Sequence, residues 1–335
     1  MPVRRLIPLM SRVLAIALGL TACTSSLGGH GSNAPTSSSS SISRRAAPSS
    51  SSSAPAAKQV TVHVSVNISD GSAVGVGMPY IARFSTVITD GKVFQNATKV
   101  TVNGQPVDAR WYFEVSHDTS WAMEAHLRTQ NYWPANATIH VDLPIQGLSG
   151  GAVPSRANTE YVFGDSLTSD FSTTDAHILT VSNAAHTLTV MDNGKQWGVF
   201  QISLGAADTP TKNGTKVIME KGKVVRMRGP GYDDPHVMWT QRLTYDGEYL
   251  HSAPWNCVGY PGCTGPSNHI GSSNSSNGCT NLRPDDAIKL YGFLGIGDVV
   301  KYPDADGPRM QIGQGYGDWN VTWGLWQTGG AVPTQ

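Results

Sequence analysis

The sequence predicts a mostly β protein with two folded domains behind a flexible N-terminal tether, and three observations carry that prediction. Gly (36) and Pro (20) are frequent, Thr and Val are abundant, and stretches of helical period are few, which favours strands and turns. From Gln59 onward the chain alternates apolar and polar residues in the two-residue period of half-buried strands, as in Val60-Thr61-Val62-His63-Val64-Ser65-Val66. At ~150 residues per domain, 335 residues with 39% hydrophobic content supply about two packed cores. Charged residues make up only 14% and balance at 24 basic against 24 acidic, so the chain carries no electrostatic footprint for nucleic acid.

The N-terminus reads as an export signal over residues 1–22. Arg4, Arg5 and Arg12 flank an apolar stretch at 13–20 that is too short to span a bilayer. Leu20-Thr21-Ala22-Cys23 then resembles a bacterial lipobox, which implies a mature chain that begins at Cys23 and is anchored to the membrane through lipid on that sulfur. The expected location is therefore the cell membrane, facing the cell wall. Residues 23–58 are dominated by Ser, Ala, Pro and Gly and cannot bury apolar surface, so they read as a tether with a reach of ~30 Å.

Residues 59–165 read as a β-sandwich. Strands are expected at 60–66, 80–87, 99–102, 110–115, 121–128 and 138–143, punctuated by Ser69-Asp70-Gly71, Asp90-Gly91 and Asn103-Gly104. No Cys pair staples this domain. His63, His117 and His126 read as isolated residues on strand patterns, with no acid, base or metal constellation among them.

The second domain is placed at 174–303, with strands at 178–182, 187–192 and 198–203 and a hairpin signal at Asp192-Asn193-Gly194. Its one convincing helix starts at Pro284: Asp285 and Asp286 favour the positive helix end, and Ala287, Ile288, Tyr291 and Leu294 recur at helical spacing. A Trp-rich tail, 304–335, closes the chain.

Just before that helix lies the most chemically loaded stretch, His251-Ser252-Ala253-Pro254-Trp255 followed by a Gly/Ser/Asn-rich loop and Ser276-Asn277-Gly278-Cys279-Thr280-Asn281. A glycine before a cysteine lets a carbonyl approach the sulfur and frees backbone N–H groups for an oxyanion, as acyl transfer requires. Cys279 is thus a candidate nucleophile, and His251 is the candidate base that would generate its thiolate.

These residues resemble the catalytic segment of the L,D-transpeptidases, the YkuD-type cysteine enzymes of bacterial cell-wall synthesis, whose signature is a His, a flap, and Ser/Thr-His-Gly-Cys followed by a hydrophobic residue or Thr and Asn. His251, Ser276, Gly278, Cys279 and Asn281 match it. So do Thr209-Pro210-Thr211-Lys212-Asn213-Gly214 and the closing Gly317-Asp318-Trp319-Asn320 with Trp323 and Trp326. Val76-Gly77-Met78-Pro79 and Tyr132-Trp133-Pro134 fit the mycobacterial type, in which immunoglobulin-like modules precede the catalytic domain and a Trp-rich tail packs back on them. The resemblance implies an immunoglobulin-like β-sandwich followed by a YkuD-like β-rich catalytic domain. It implies 3→3 cross-linking of peptidoglycan stem peptides through an acyl-enzyme on Cys279, with His251 as base held by the Ser252 backbone, an oxyanion site at Gly278 and Cys279, and no cofactor. Tyr232, Tyr249, Trp255, Ser276, Asn277 and Asn281 match positions that line the substrate cleft, and carbapenems are the implied inhibitors.

Two departures stand out. Asn277 occupies the place of the family's His, and the flap between His251 and Cys279 is about ten residues longer, holding Cys257, Cys263 and His269. The close spacing of Cys257 and Cys263 suits a small disulfide loop, worth roughly 2 kcal/mol on the loop-entropy model. A metal set built on Cys257, Cys263, His269 and Cys279 is disfavoured by irregular spacing and an oxidising compartment. The competing reading is an impaired enzyme that binds the wall in a structural or regulatory role; the joint presence of Cys279, His251, Gly278 and Asn281 favours activity.

Overall fold

The computed structural model describes residues 56–229 and 231–335; the expected export signal, Cys23 and most of the Ser-rich tether lie outside the described residues. The chain is mostly β, in the order read from the sequence.

In the first domain, Lys58–Val62 pairs in parallel with Thr159–Phe163, whereas Val64–Val66 pairs with Tyr80–Phe84 in another sheet. The alternating run at 60–66 is therefore two strands, and the chain changes sheet at His63. The second of these sheets continues through Met123–Thr129 to Ala109–Glu114, and a five-stranded sheet built around Leu167–Thr173, Thr138–Leu143 and Lys99–Val102 lies in the same domain. Tyr80, Phe84, Phe94, Trp111, Phe113 and Phe163 fill the core, with ring centroids of Phe94 and Trp111 5.0 Å apart. Asp90-Gly91, read as a turn, instead opens a helix at Lys92–Ala97, because Gly91 takes the cap position and Asp90 Oδ1 accepts the Lys92 N–H at 2.8 Å. The helix is one and a half turns long, and burial of Phe94 decides it where periodicity over six residues could not.

The second domain is organised by one nine-stranded sheet whose centre, Lys195–Ser203, Thr280–Leu282 and Tyr249–Ser252, carries the segment singled out above. The late helix runs Pro284–Phe293, burying Ala287 and Leu290 under the sheet. A long hairpin, Glu220–Gly229 with Tyr232–Arg242, forms the sheet edge beside that segment.

The first domain, the second domain and the tail share a core. Val217 and Met219 from the second domain and Tyr316 and Val332 from the tail join the aromatic cluster of the first domain. Arg128 is 2% exposed and its guanidinium lies over the rings of Trp319, Trp323 and Trp326 at 4.8, 5.3 and 4.2 Å, while its Nη2 donates to Val321 O at 2.8 Å. The Trp319 and Trp326 indole N–H groups donate to Gly77 O and Arg110 O. Asn320 takes the N–H of Thr215 and donates to its carbonyl, which ties the tail to the nine-stranded sheet. Arg128→Ala is expected to cost about 3 kcal/mol in a denaturant titration, since it empties a site packed by three indoles. Arg128→Lys should recover only part of this, because an ammonium lacks the plane that stacks.

The histidines of the first domain are not isolated, which corrects the expectation from sequence. The antiparallel register sets Glu114 opposite Glu124 and places His126 on the same face two residues on, and the tail brings Asp318 to it. Burial pushes the Glu114 carboxyl up to about 7. Burial also works to raise Glu124, but the neighbouring imidazoles of His126 and His117 outweigh it and hold that carboxyl down to about 2. Alternation identifies the face of each residue and not the partner across the strand, so the cluster was invisible one-dimensionally. His63, by contrast, is exposed and pairs only with Asp165.

Candidate active site

Cys279 sits where the flap enters Thr280–Leu282, and the parallel pairing of that strand with Tyr249–Ser252 sets Asn281 opposite His251. Gly278 has φ +103°, a left-handed conformation that a side chain would strain, and its carbonyl is held by Thr211 Oγ1 at 2.9 Å. Ser276 Oγ donates to Cys279 O at 2.6 Å, and Thr209 Oγ1 donates to Ser276 O at 2.9 Å. The Thr-Pro turn thus braces the segment that presents the sulfur.

His251 is 4% exposed, and its Nδ1–H donates to Ser252 O at 2.8 Å. That bond fixes the tautomer and leaves Nε2 free to accept a proton. Burial pushes the imidazole down to about 4, more than its bond to Ser252 O restores. Burial likewise pushes the Cys279 thiol up to about 12, and the thiol contacts Gly247 O at 3.5 Å. Burial thus favours the uncharged form of both groups.

The two residues share a cleft of about 270 Å³ whose walls include Tyr232, Asp234, Trp255, Ser276, Asn277 and Asn281. Asn281 is 1% exposed and its Oδ1 has no hydrogen-bond partner among the described residues. A second cleft of about 220 Å³ opens on the other side and shares Tyr232 and Asn277 with the first, with Gly278 and Lys212 on its wall. Tyr249 departs from its expected place on the cleft wall: it is half-buried and packs with Met227, Val237 and Cys279 in an apolar cluster. Cys257 and Cys263 are joined in a disulfide with Cα atoms 5.2 Å apart, so Cys279 is the free cysteine among the described residues. His269 hydrogen-bonds Ser267 and Ser273 within the flap and does not stand beside the thiol in place of the missing ring.

Sequence reasoning missed two contributors. The hairpin at 220–242 supplies Met227, Asp234 and Val237 to the cleft, and its signals were the turn at Gly231, where φ is +82°, and the alternation around Val224. Lys216 and Glu248 form a buried ion pair near Cys279: Glu248 Oε2 takes the Lys216 ammonium, Oε1 takes the Lys212 N–H at 2.8 Å, and Lys216 Nζ lies 3.9 Å from the centre of the Tyr302 ring. Nothing local marks a lysine for complete burial.

Residues 176–301 match the L,D-transpeptidase catalytic domain, YkuD, and residues 34–149 match a bacterial Ig domain. L,D-transpeptidase 2 of Mycobacterium tuberculosis is 30% identical over 272 residues, covering 78% of this chain and 60% of the relative. L,D-transpeptidase 5 of the same species is 27% identical over 82% of this chain and 57% of its own, so the chain spans less than two thirds of these relatives' length. A solved L,D-transpeptidase in complex with imipenem superposes with a TM-score of 0.55 at 27% identity, covering 71% of this chain and 97% of that one. L,D-transpeptidase 3 of M. tuberculosis, solved with a faropenem-derived adduct, gives 0.54 at 25% identity over 72% and 97%. With both domains matched in order and a braced Gly-Cys turn sharing a cleft with a histidine inside the first of these matches, the chain carries an L,D-transpeptidase catalytic domain of the YkuD type preceded by a bacterial immunoglobulin-like domain.

Proposed function

We propose that the protein is a peptidoglycan L,D-transpeptidase that forms 3→3 cross-links through a thioester on Cys279. The observation that carries this reading is a free cysteine and a histidine with its Nε2 unencumbered on the walls of one cleft. His251 Nε2 takes the thiol proton as Sγ adds to the diaminopimelate carbonyl of the bond to D-alanine in a donor tetrapeptide stem. The backbone N–H groups of Gly278 and Cys279 hold the oxyanion, and collapse to the thioester expels D-alanine, whose amine takes the proton back from His251. The side-chain amine of an acceptor stem then attacks the thioester, loses a proton to His251 and returns the thiol. Two clefts that meet at Asn277 suit two stems, and the unpartnered Asn281 Oδ1 supplies an acceptor for a stem amide. Carbapenems acylate the same sulfur in this reading, which the imipenem and faropenem structures of relatives support.

Intact-mass analysis after mixing the protein with a tetrapeptide stem tests the proposal. An adduct of the stem less D-alanine is expected; stem binding with no adduct would make the protein an impaired wall binder instead. The pH profile gives a further check. His251, with its pKa lowered to about 4, stays a neutral base down to that pH and loses its capacity only as pH falls below it. The acid limb of acylation is therefore expected near pH 4 rather than at the ordinary ~6.5 of histidine. An acid limb at the ordinary value would show that the imidazole is solvated in the working enzyme.

Attachment through Cys23 is part of the same proposal. The Ser-rich tether would hold the folded part away from the lipid, and Cys23→Ala is expected to move the protein from the membrane to the soluble fraction. A wild type that is already soluble with an unmodified N-terminus would exclude the anchor.

A further inference from the structure

The reaction proposed above makes no use of the buried group where the immunoglobulin-like domain meets the tail. Glu124 and His126 are both 1% exposed, Glu114 is 9% exposed, and Asp318 is fully buried. His126 Nδ1–H donates to Asp318 Oδ1 at 2.7 Å, which fixes the ring and turns Nε2 toward Glu114 Oε1 at 3.2 Å and Glu124 Oε1 at 3.5 Å. One donor atom from each of Glu114, Glu124 and His126 lies within 4.8 Å of the others. Despite their burial, Nε2 and Glu114 Oε1 make no hydrogen bond among the described residues, so they approach one another without bonding. Such misalignment is expected of donors that converge on a shared centre. A zinc ion with ligands at ~2.0–2.2 Å separates tetrahedral neighbours by ~3.3–3.5 Å, close to the spacings of His126 with the two carboxylates.

We propose that Glu114, Glu124 and His126 form a binding site for a divalent transition-metal ion of the zinc class, oriented from behind by Asp318 of the tail. A nitrogen and two carboxylate oxygens are a donor set that zinc accepts, with water as the fourth ligand. A histidine whose other nitrogen donates to a carboxylate is the usual arrangement of a zinc-bound imidazole. Charge agrees: three carboxylates meet here, Arg83 Nε approaches Glu124 Oε2 only at 3.7 Å, and Arg128 engages the tail's indoles. His117 Nδ1 at 3.3 Å and Ser116 Oγ at 3.2 Å hold the Glu124 carboxylate in place. The ion would fasten the tail, through Asp318 and His126, to the sheet it packs on.

The test uses the full chain, stripped with a chelator and titrated with zinc chloride, with metal content and thermal midpoint as readouts. One zinc per chain is expected, with a midpoint that rises on loading and falls again with chelator. Glu114→Gln, which keeps the shape and removes the charge, should lose stoichiometric uptake, and Asp318→Asn should weaken it ~10- to 100-fold. Asp192→Asn, at the more exposed His177 cluster, should change nothing. A wild type that takes up no zinc overturns the proposal without recourse to any variant, as does uptake that Glu114→Gln leaves intact; the cluster would then hold a proton on His126 and nothing else.

Discussion

Cys279→Ala is expected to abolish both the stem adduct and the 3→3 product while leaving the protein folded. The fold should survive because the side chain removed is small and belongs to a minor apolar cluster with Met227 and Val237, outside the two large cores. Activity should not, because Cys257 and Cys263 are tied to each other and no other free thiol is present among the described residues. His251→Ala should lower acylation by roughly 10²–10⁴-fold, the usual share of a general base. The loss should fall at the upper end, since a thiol whose pKa is raised to about 12 by burial does not ionise near neutrality without an adjacent acceptor. The measurement is adduct formation followed by mass against time. Cross-linking by Cys279→Ala at the wild-type rate would remove the thioester from the mechanism.

The second large effect concerns stability. Lys216 is completely buried, and its ammonium is matched by Glu248 and the face of Tyr302. Glu248→Ala would leave that ammonium without its counter-charge and the Lys212 N–H without its acceptor, at a cost of about 3–5 kcal/mol. Against a total of 5–15 kcal/mol typical of a folded domain, that is a large fraction of the whole. The double variant Lys216→Met with Glu248→Leu should recover most of the loss, because an apolar pair of similar volume has no desolvation to offset. Denaturant midpoints of the two single variants and the double form the cycle that tests this. An unchanged midpoint in Glu248→Ala would mean that Lys216 sheds its proton instead of remaining charged, an outcome that burial, which lowers its pKa, already favours in direction.

Much of the architecture was legible in the chain because its determinants are local. Strands such as Lys99–Val102, Thr138–Leu143 and Thr187–Asp192 fall where two-residue alternation places them, and the helix at Pro284–Phe293 starts at the proline that suits its first turn. The candidate nucleophile and base were legible for a related reason: a glycine in a left-handed turn beside a cysteine is a requirement of backbone chemistry written into adjacent residues. The hairpin at 220–242 was overlooked because it interrupts its own alternation, with a bulge between Val225 and Met227 and Trp239 at φ +56°.

By itself, then, the sequence determined the β class, the two domains and the candidacy of Cys279 and His251, since each depends on residues close together in the chain. Only the tertiary structure decided that Lys216 pairs with Glu248, that Tyr249 packs beneath the thiol, and that His126 meets an aspartate 192 positions away. The physical reason is common to the three: strand register and domain packing bring each residue to its partner, and neither register nor packing has a local signature.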